Sequence, residues 1–201
     1  MKDYIKLTIE NILQITTILL QTIGLFLIKP DIFSSYNNSE LFAGGNFYNF
    51  LLIFITIIFL YLSYTFNKKN HSIKWFFIFI SFGLLFVFSF YFFNKTIEEK
   101  SILFFSENIE ATRYIKGNNF NKEIQSCANE LKLINSEISD LEIIKNCTDI
   151  TDASQFYKIW SETEIKQNIN LINLLYCICL SLASMALVSG LQAIKCKRVK
   201  V

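Results

Sequence analysis

The chain has 201 residues, of which 52% are hydrophobic and 18% charged, and its formal net charge is +2. The charged fraction lies below the roughly 25% of average soluble domains, and 21 Phe against one Pro favour long apolar helices. Because His71 is the only histidine, a Ser-His-Asp triad and an HExxH zinc site are excluded, and no Gly-rich phosphate loop is present. We therefore expect no enzyme activity, no cofactor, no metal site and no small-molecule substrate.

Four stretches of the chain are almost free of charge and are each long enough to cross a bilayer. They are residues 11–28, 49–66, 75–93 and 169–194. The third contains FFIFISFGLLFVFSFYFF (76–93), and eighteen residues make a helix of about 27 Å, close to the ~30 Å hydrocarbon core. The sequence predicts an all-α integral membrane protein with four transmembrane helices and a small helical extracytoplasmic domain between helices three and four.

The first and fourth segments carry neutral polar or small residues on one face. Segment one, interpreted as a retained helix and not a signal peptide, aligns Asn11, Gln14 and Gln21, with Thr17 close to the same face. Segment four has small residues at spacings of four, three and four, namely Cys179, Ala183, Ala186 and Gly190. Such residues let helices approach closely, so we interpret both faces as helix-packing positions within or between protomers. The alternative is that they line a water-filled pore.

Positive charge is concentrated in three short pieces of the chain. These pieces contain Lys2 and Lys6, then Lys68, Lys69 and Lys74, and finally Lys195, Lys197, Arg198 and Lys200. Because such charge stays on the cytoplasmic side, the pattern predicts a multi-pass membrane protein with both termini cytoplasmic. Residues 1–93 then hold helices one to three with short loops, and 195–201 form a basic cytoplasmic tail.

Residues 94–168 change to frequent charges and predict the helical domain outside the membrane. We expect a first helix from Thr96 to Gly117. An apolar stripe follows at alternating spacings of three and four, comprising Ile124, Cys127, Leu131, Ile134, Ile138 and Leu141. It predicts a helix packed on its neighbours, with a homotypic coiled coil as the alternative. A last helix is expected to begin at Thr151 and to run directly into segment four.

The cysteines separate by their predicted compartment. Cys127 and Cys147 are the two on the outer side, which in a bacterium is oxidising. If the chain folds back in NSEISD (135–140), their sulfurs can bond; if the stripe continues as one straight helix, they lie about 30 Å apart and cannot. We favour the disulfide. Cys177 and Cys179 are expected to be small packing residues, and Cys196 a solvated residue of the tail.

The membrane segments contain no Asp, Glu, Lys or Arg in their interiors, which argues against an ion-coupled transporter. Three functions remain: a sensor or scaffold subunit that responds to envelope disturbance, an oligomeric channel or pore-forming effector, and an accessory subunit of an envelope machine. Conductance in liposomes separates the second from the other two. A partner recovered in mild detergent separates the first from the third.

A chain of 201 residues with four such segments and an outer domain between the third and fourth resembles the membrane subunit of the Kiwa anti-phage defence system. The resemblance covers the whole chain and lies in size, helix count and layout. It implies a homo-oligomeric inner-membrane protein that detects phage attack. It also implies a soluble cytoplasmic partner that binds DNA, with no direct nucleic-acid contact by this chain.

The predicted cytoplasmic residues, about 1–10, 67–74 and 194–201, are too few to bury a core of their own. A cytoplasmic output must then come from a partner docked on these pieces or from ions crossing the membrane. We expect the partner, since no charged ring supports ion selection. The docking candidates are Lys68, Lys69, Lys197 and Arg198.

Overall fold

The structure is a computed structural model that describes residues 53–59, 61–63, 65, 71–104, 112–150 and 153–198. Predicted segment one lies outside these residues, together with its packing candidates Asn11, Gln14 and Gln21. Lys68 and Lys69 also lie outside the described residues.

The described chain is mostly helical. Its elements are α1 (Ile53–Ser63), α2 (Ser72–Lys100), β1 (Ser101–Phe104), β2 (Thr112–Ile115), α3 (Lys122–Ile134), α4 (Asp140–Cys147), a 3-10 helix (Ala153–Lys158) and α5 (Glu162–Arg198). The two long helices, α2 and α5, contain most of predicted segments three and four and extend beyond them.

Two of these helices, α2 and α5, are long and apolar enough to cross a membrane. Helix α2 continues past residue 93 because its polar end is also compatible with a helix. There Lys95 and Glu99 form an i,i+4 ion pair with Nζ and Oε1 3.7 Å apart. The structure thus contains two candidate membrane spans among the described residues, and the count of four remains a prediction.

The predicted helix from Thr96 to Gly117 is wrong after Lys100, where the chain enters a β-hairpin. Strands β1 and β2 pair antiparallel, with Ser101 opposite Ile115 and Phe104 opposite Thr112. Both strands are rich in β-branched and aromatic residues, which fit a pleated surface better than a helix. Ile102 and Ile115 are buried. The described part of residues 94–168 therefore contains a two-stranded sheet beside its helices, where the sequence predicted helices alone.

The apolar stripe of residues 124–141 is divided between two helices. Helix α3 ends at Ile134, and α4 begins at Asp140 behind a capping box in which Ser139 and Glu142 bond each other's backbone N–H groups. This cap starts a new helix and lets the chain fold back. The alternative of one straight helix with a homotypic coiled coil is therefore wrong.

The last helix begins at Glu162, not at Thr151 as predicted. A 3-10 helix over Ala153–Lys158 precedes it, and the chain then turns so that Ile159 and Trp160 become buried. Trp160 also forms an isolated antiparallel bridge with Phe120. The burial of Trp160 against Phe120 therefore interrupts the helix that the local sequence permits from Thr151.

The chain divides into two compact units. The first, called the apolar unit, contains described residues 53–93 and 174–198; the second, called the polar unit, contains Asn94–Asn173. The buried apolar residues of the polar unit are Ile97, Ile102, Ile115, Ile124, Ala128, Ile143, Ile144, Phe156, Ile159, Trp160, Ile165, Ile169 and Ile172. Since the last three belong to α5, the first turns of this helix form part of the polar unit's core.

Candidate functional site

Two sets of hydrogen bonds fasten α5, one in each unit. We name the first the polar clasp: Lys100, the loop Lys116–Asn119, Glu164 and Asn168. We name the second the apolar clasp: Ser63, Ser72, Trp75, Gln192, Ala193 and Cys196. Each clasp joins segments that are distant in sequence.

Glu164, in the first turn of α5, is the anion of the polar clasp. Its Oε2 accepts from the backbone N–H groups of Asn118 (2.9 Å) and Asn119 (3.0 Å), and its Oε1 accepts from Asn119 Nδ2 at 3.1 Å. These hydrogen bonds lower the pKa of Glu164 below its ordinary 4.5 because they favour the charged carboxylate. The backbone N–H of Asn119 makes the largest contribution. Glu164 lies outside the apolar stretch 169–194, in the polar unit.

Asn168 lies one turn further along α5 and is buried. Its Nδ2 donates to the carbonyl oxygen of Lys116 at 2.7 Å and to Asn118 Oδ1 at 3.3 Å. The same Oδ1 accepts from Lys100 Nζ at 2.6 Å, and the backbone N–H of Lys116 donates to Lys100 O at 3.0 Å. The 116–119 loop therefore ties the last residue of α2 to the first two turns of α5.

Gly117 sits where this loop makes its closest approach. A Cβ placed there would lie 2.7 Å from Trp160 Cβ and 2.9 Å from Glu164 Oε2. Both distances are too short for a real Cβ, so only glycine fits without a shift of the neighbours. Gly117 was predicted as the end of a helix, but its role in the structure is to let the loop reach α5.

The structure brings Cys127 and Cys147 together in a disulfide with their Cα atoms 5.9 Å apart. The bond joins the middle of α3 to the last residue of α4. Helix α4 is also held by its buried Ile143 and Ile144 and by an ion pair between Lys116 Nζ and the Asp140 carboxylate. Since Lys116 belongs to the polar clasp, α4 is fastened to the same loop as α5.

The apolar clasp lies near the other end of α5. The buried Gln192 donates from Nε2 to Ser63 O at 2.8 Å, and Ser72 Oγ donates to Ala193 O at 2.9 Å. Neighbouring residues of α5 thus hold the last residue of α1 and the first residue of α2. These two residues border the 64–71 segment.

A small core supports these bonds. Trp75 packs with Ala193 and Cys196, and Phe59 of α1 approaches Trp75 edge-on with ring centroids 6.1 Å apart. The prediction that Cys196 is solvated is wrong, because its exposed fraction is 0%. Helix α5 continues through Arg198, so Cys196 lies one turn beyond Gln192 and turns toward Trp75.

The packing positions predicted on segment four lie at different depths. Cys179 and Ala186 are buried, Ala183 is half-buried, and a Cβ on Gly190 would lie 3.2 Å from Phe79 Cδ2. Gly190 therefore stands at the contact between α5 and α2. Of the docking candidates, Lys197 is exposed and Arg198 is the last residue of α5.

Sequence reasoning missed most residues of the two clasps, although two signals were present. The spacing of Ser161 and Glu164 matches the S-x-x-E pattern of a helix start and could have placed the start of α5 at Glu162. A period of three to four residues, which is typical of a helix, runs through Gln192, Ala193 and Cys196. It could have shown that the helix extends past Ile194. Nothing local indicates Ser63, Ser72 or Asn168, since their partners are distant in sequence.

In both clasps the polar groups form hydrogen bonds that hold distant segments of the chain together. Within the described residues no group of three or more His, Cys, Asp or Glu is placed to hold a metal ion. Among the same residues, every buried side-chain nitrogen and oxygen has a hydrogen-bond partner. Carboxylate and amide groups therefore act here as anchors between segments.

The fold and its two clasps define a mostly helical protein with two helices that qualify as membrane spans. No protein-family model, curated protein or solved structure matches the chain. A function must therefore be inferred from the residues themselves.

Proposed function

We propose that this chain is a sensor and scaffold subunit of a bacterial anti-phage defence complex of the Kiwa kind. In this proposal it is a non-enzymatic, homo-oligomeric protein of the inner membrane that crosses it four times. The polar unit lies outside the cytoplasm and responds to disturbance of the envelope. A soluble, DNA-binding partner docks on the cytoplasmic segments and makes the output.

The observation that carries the proposal is the participation of α5 in both clasps. Its first turns hold the 116–119 loop through Glu164 and Asn168, and its last turns hold Ser63 and Ser72. Helix α5 is continuous over Glu162–Arg198, about 55 Å at 1.5 Å per residue. One helix thus contributes residues to both clasps, which is what the proposed response to envelope disturbance requires.

The basic residues support the choice of the docking surface. Lys68 and Lys69 lie within the segment that the apolar clasp borders, and Lys197 and Arg198 lie at the end of α5. In this proposal an acidic surface on the partner recognises the four cations together.

The partner can be tested by purification from native membranes in mild detergent. Neutralising Lys68, Lys69, Lys197 and Arg198 together to Gln should release the partner and leave the oligomer intact. A matched control neutralises four exposed lysines of the polar unit, Lys95, Lys145, Lys158 and Lys166, to Gln, and it should retain the partner. Retention of the partner by the quadruple variant, or its loss in the control, would contradict the proposed docking surface.

The proposed sides of the membrane can be tested by thiol labelling in intact cells. We expect cysteines introduced at Asn38 and Asn129 to react from outside, and one at Asn70 only after permeabilisation. The native Cys177, Cys179 and Cys196 are buried, so they contribute little background. The reverse labelling pattern would overturn the orientation.

Ion conduction through a pore is the function that would replace the proposed one. Conductance in liposomes of pure lipid, together with full antiviral activity in cells without any partner, would assign the output to ions. The polar face of segment one, with Asn11, Gln14 and Gln21, would then be the first place to seek the lining.

A further inference from the structure

We propose that the Cys127–Cys147 disulfide is a redox switch that decides whether α3 stays docked in the polar unit. The bond lies in the polar unit, whereas the other three of the chain's five cysteines are buried and form no disulfide. Both bonded cysteines are half-buried, so neither lies fully inside the core. The inference rests on the proposed function only in placing the bond in an oxidising compartment.

Helix α3 has few other anchors along its length. Its buried residues are Ile124 and Ala128, both in its first two turns. From Asn129 to Glu137 every residue is exposed or half-buried, and Leu133 and Ile134 are 87% and 84% exposed. Cys127 lies between the two buried residues, so the disulfide adds a covalent attachment where the packing of α3 ends.

The beginning of α3 is held differently, and it forms a natural hinge. The backbone N–H of Asn121 donates to Ile159 O at 2.8 Å, and its Nδ2 donates to Lys158 O at 2.9 Å. The ring of Phe120 stacks on Trp160 with centroids 5.8 Å apart. These contacts precede Lys122, so they keep the chain in place when the helix itself leaves.

Helix α4, at the other end of the bond, does not depend on it in the same way. Ile143 and Ile144 are fully buried, Ser139 caps its start, and Asp140 pairs with Lys116. Breaking the disulfide therefore releases α3 and leaves α4 with the polar clasp. This asymmetry distinguishes a switch from a bond that holds the whole unit together.

The chemical step is thiol–disulfide exchange with a dithiol donor, either a protein dithiol or a small molecule. One donor thiolate attacks one sulfur and displaces the other as a thiolate, giving a mixed disulfide; the second donor thiol then attacks and releases the first cysteine. The S–S bond of Cys127–Cys147 gains two electrons and two protons and becomes two thiols. The donor loses the same and becomes a disulfide.

Once released, α3 is a 13-residue helix, a length that is marginal in water without tertiary contacts. Its backbone amides then exchange with solvent. Ile124 and Ala128, which are buried in the docked helix, then become exposed beside Leu133 and Ile134, which are exposed already. Reduction therefore removes Ile124 and Ala128 from the core of the polar unit and leaves its other buried residues in place.

The test is hydrogen–deuterium exchange of the full-length protein in detergent, before and after treatment with dithiothreitol, with alkylation to count thiols. On complete reduction, amides of 122–134 should exchange roughly tenfold faster or more, while those of 141–147 and 163–172 stay unchanged. Reoxidation with glutathione disulfide should restore the original rates. The Cys127→Ser, Cys147→Ser double variant should exchange like the reduced protein and ignore dithiothreitol.

Each contrary result would overturn the switch. Unchanged exchange in 122–134 after complete reduction would mean that packing alone docks α3. Loss of protection in 163–172 as well would mean that the bond holds the whole polar unit. Free thiols before treatment, or a bond that dithiothreitol does not reduce, would remove the switch itself. None of these results depends on a cytoplasmic partner, so the proposed function can fail or stand separately.

Discussion

Helices α2 and α5 are both apolar enough to cross a membrane, yet they differ in how they pack. In the most apolar stretch of α2 only 6% of the residues are buried, against 33% in that of α5. Helix α2 carries nine Phe between residues 76 and 93, whereas α5 carries Ala, Ser, Cys and Gly in its membrane stretch. The less hydrophobic helix is therefore the more buried one.

Side-chain size and polar satisfaction explain the difference. Small residues let backbones approach, and the serines of α5 can be buried because each donates to a carbonyl oxygen four residues earlier: Ser181 to Cys177, Ser184 to Leu180 and Ser189 to Met185. The rings of α2 instead contact each other along the helix, as in Phe88 with Phe92 at 4.8 Å between centroids. Both helices are apolar enough to cross a membrane, and the small residues of α5 allow it the closer packing.

The largest expected effect comes from the two glycines, one on each helix. A Cβ on Gly190 would lie 3.2 Å from Phe79, whereas a Cβ on Gly83 meets no described atom within 4 Å. Gly190→Leu should lower the free energy of unfolding by about 1–3 kcal/mol or more, because the side chain forces α5 from α2. Thermal unfolding in detergent, followed by tryptophan fluorescence, measures the change.

Gly83→Leu is the matched control and should leave stability unchanged. Equal loss of stability in both variants would contradict the difference in packing between the two helices, since it would mean that α2 is as tightly packed around residue 83 as α5 is around residue 190. Loss in the Gly83 variant alone would reverse it.

The next effect concerns a polar side chain in each apolar stretch. Gln192 of α5 is buried and donates to Ser63 O, whereas Ser81 of α2 is exposed. Gln192→Leu should cost roughly 0.5–1.5 kcal/mol, because it removes a bond between helices from the apolar clasp. Ser81→Leu should have no effect on the same unfolding curve. A neutral Gln192 variant would show that packing around Trp75 holds this end of α5 without the bond.

A smaller effect is expected from the glutamates near the polar ends of the two helices. Glu164 of α5 accepts three bonds from the 118–119 loop, whereas Glu99 of α2 pairs with Lys95 on the surface. Glu164→Gln should lower stability by about 0.5–1 kcal/mol, and Glu99→Gln by less than about 0.3 kcal/mol. Proteolysis between residues 116 and 119 should rise in the Glu164 variant only. Equal resistance in both variants would mean that Asn168 alone holds the loop.

The smallest effect is a dependence on pH. Because hydrogen bonds lower the pKa of Glu164 in the folded protein, its contribution is complete above 4.5 and is lost as pH falls through the folded value. The stability difference between wild type and Glu164→Gln should therefore be constant near neutral pH and shrink below pH 4.5. Unfolding curves of both proteins at several pH values measure it. A difference that grows on acidification would contradict this role.

Local sequence predicted features that depend on neighbours within one or two turns. The apolar runs of α2 and α5 were placed, although both helices extend further because the polar residues at their ends also suit a helix. The β-hairpin was missed because residues 96–117 contain a possible cap, acidic residues and a terminal glycine that equally suit a helix. Its strands form because Ile102 and Ile115 are buried in a core contributed by later parts of the chain.

The apolar, span-length helices and the charged domain between two of them could be located from the sequence. Hydrophobicity and charge are properties of single side chains, so they can be read along the chain without knowledge of tertiary contacts. The sequence left the pairing of Cys127 with Cys147 undecided, because that depends on the turn between α3 and α4. Only the tertiary structure decided that Glu164 and Asn168 hold the 116–119 loop and that Gln192 and Ala193 hold Ser63 and Ser72. The partners of these bonds lie 45 to 129 residues apart, and no local preference encodes which distant backbone group a side chain will meet.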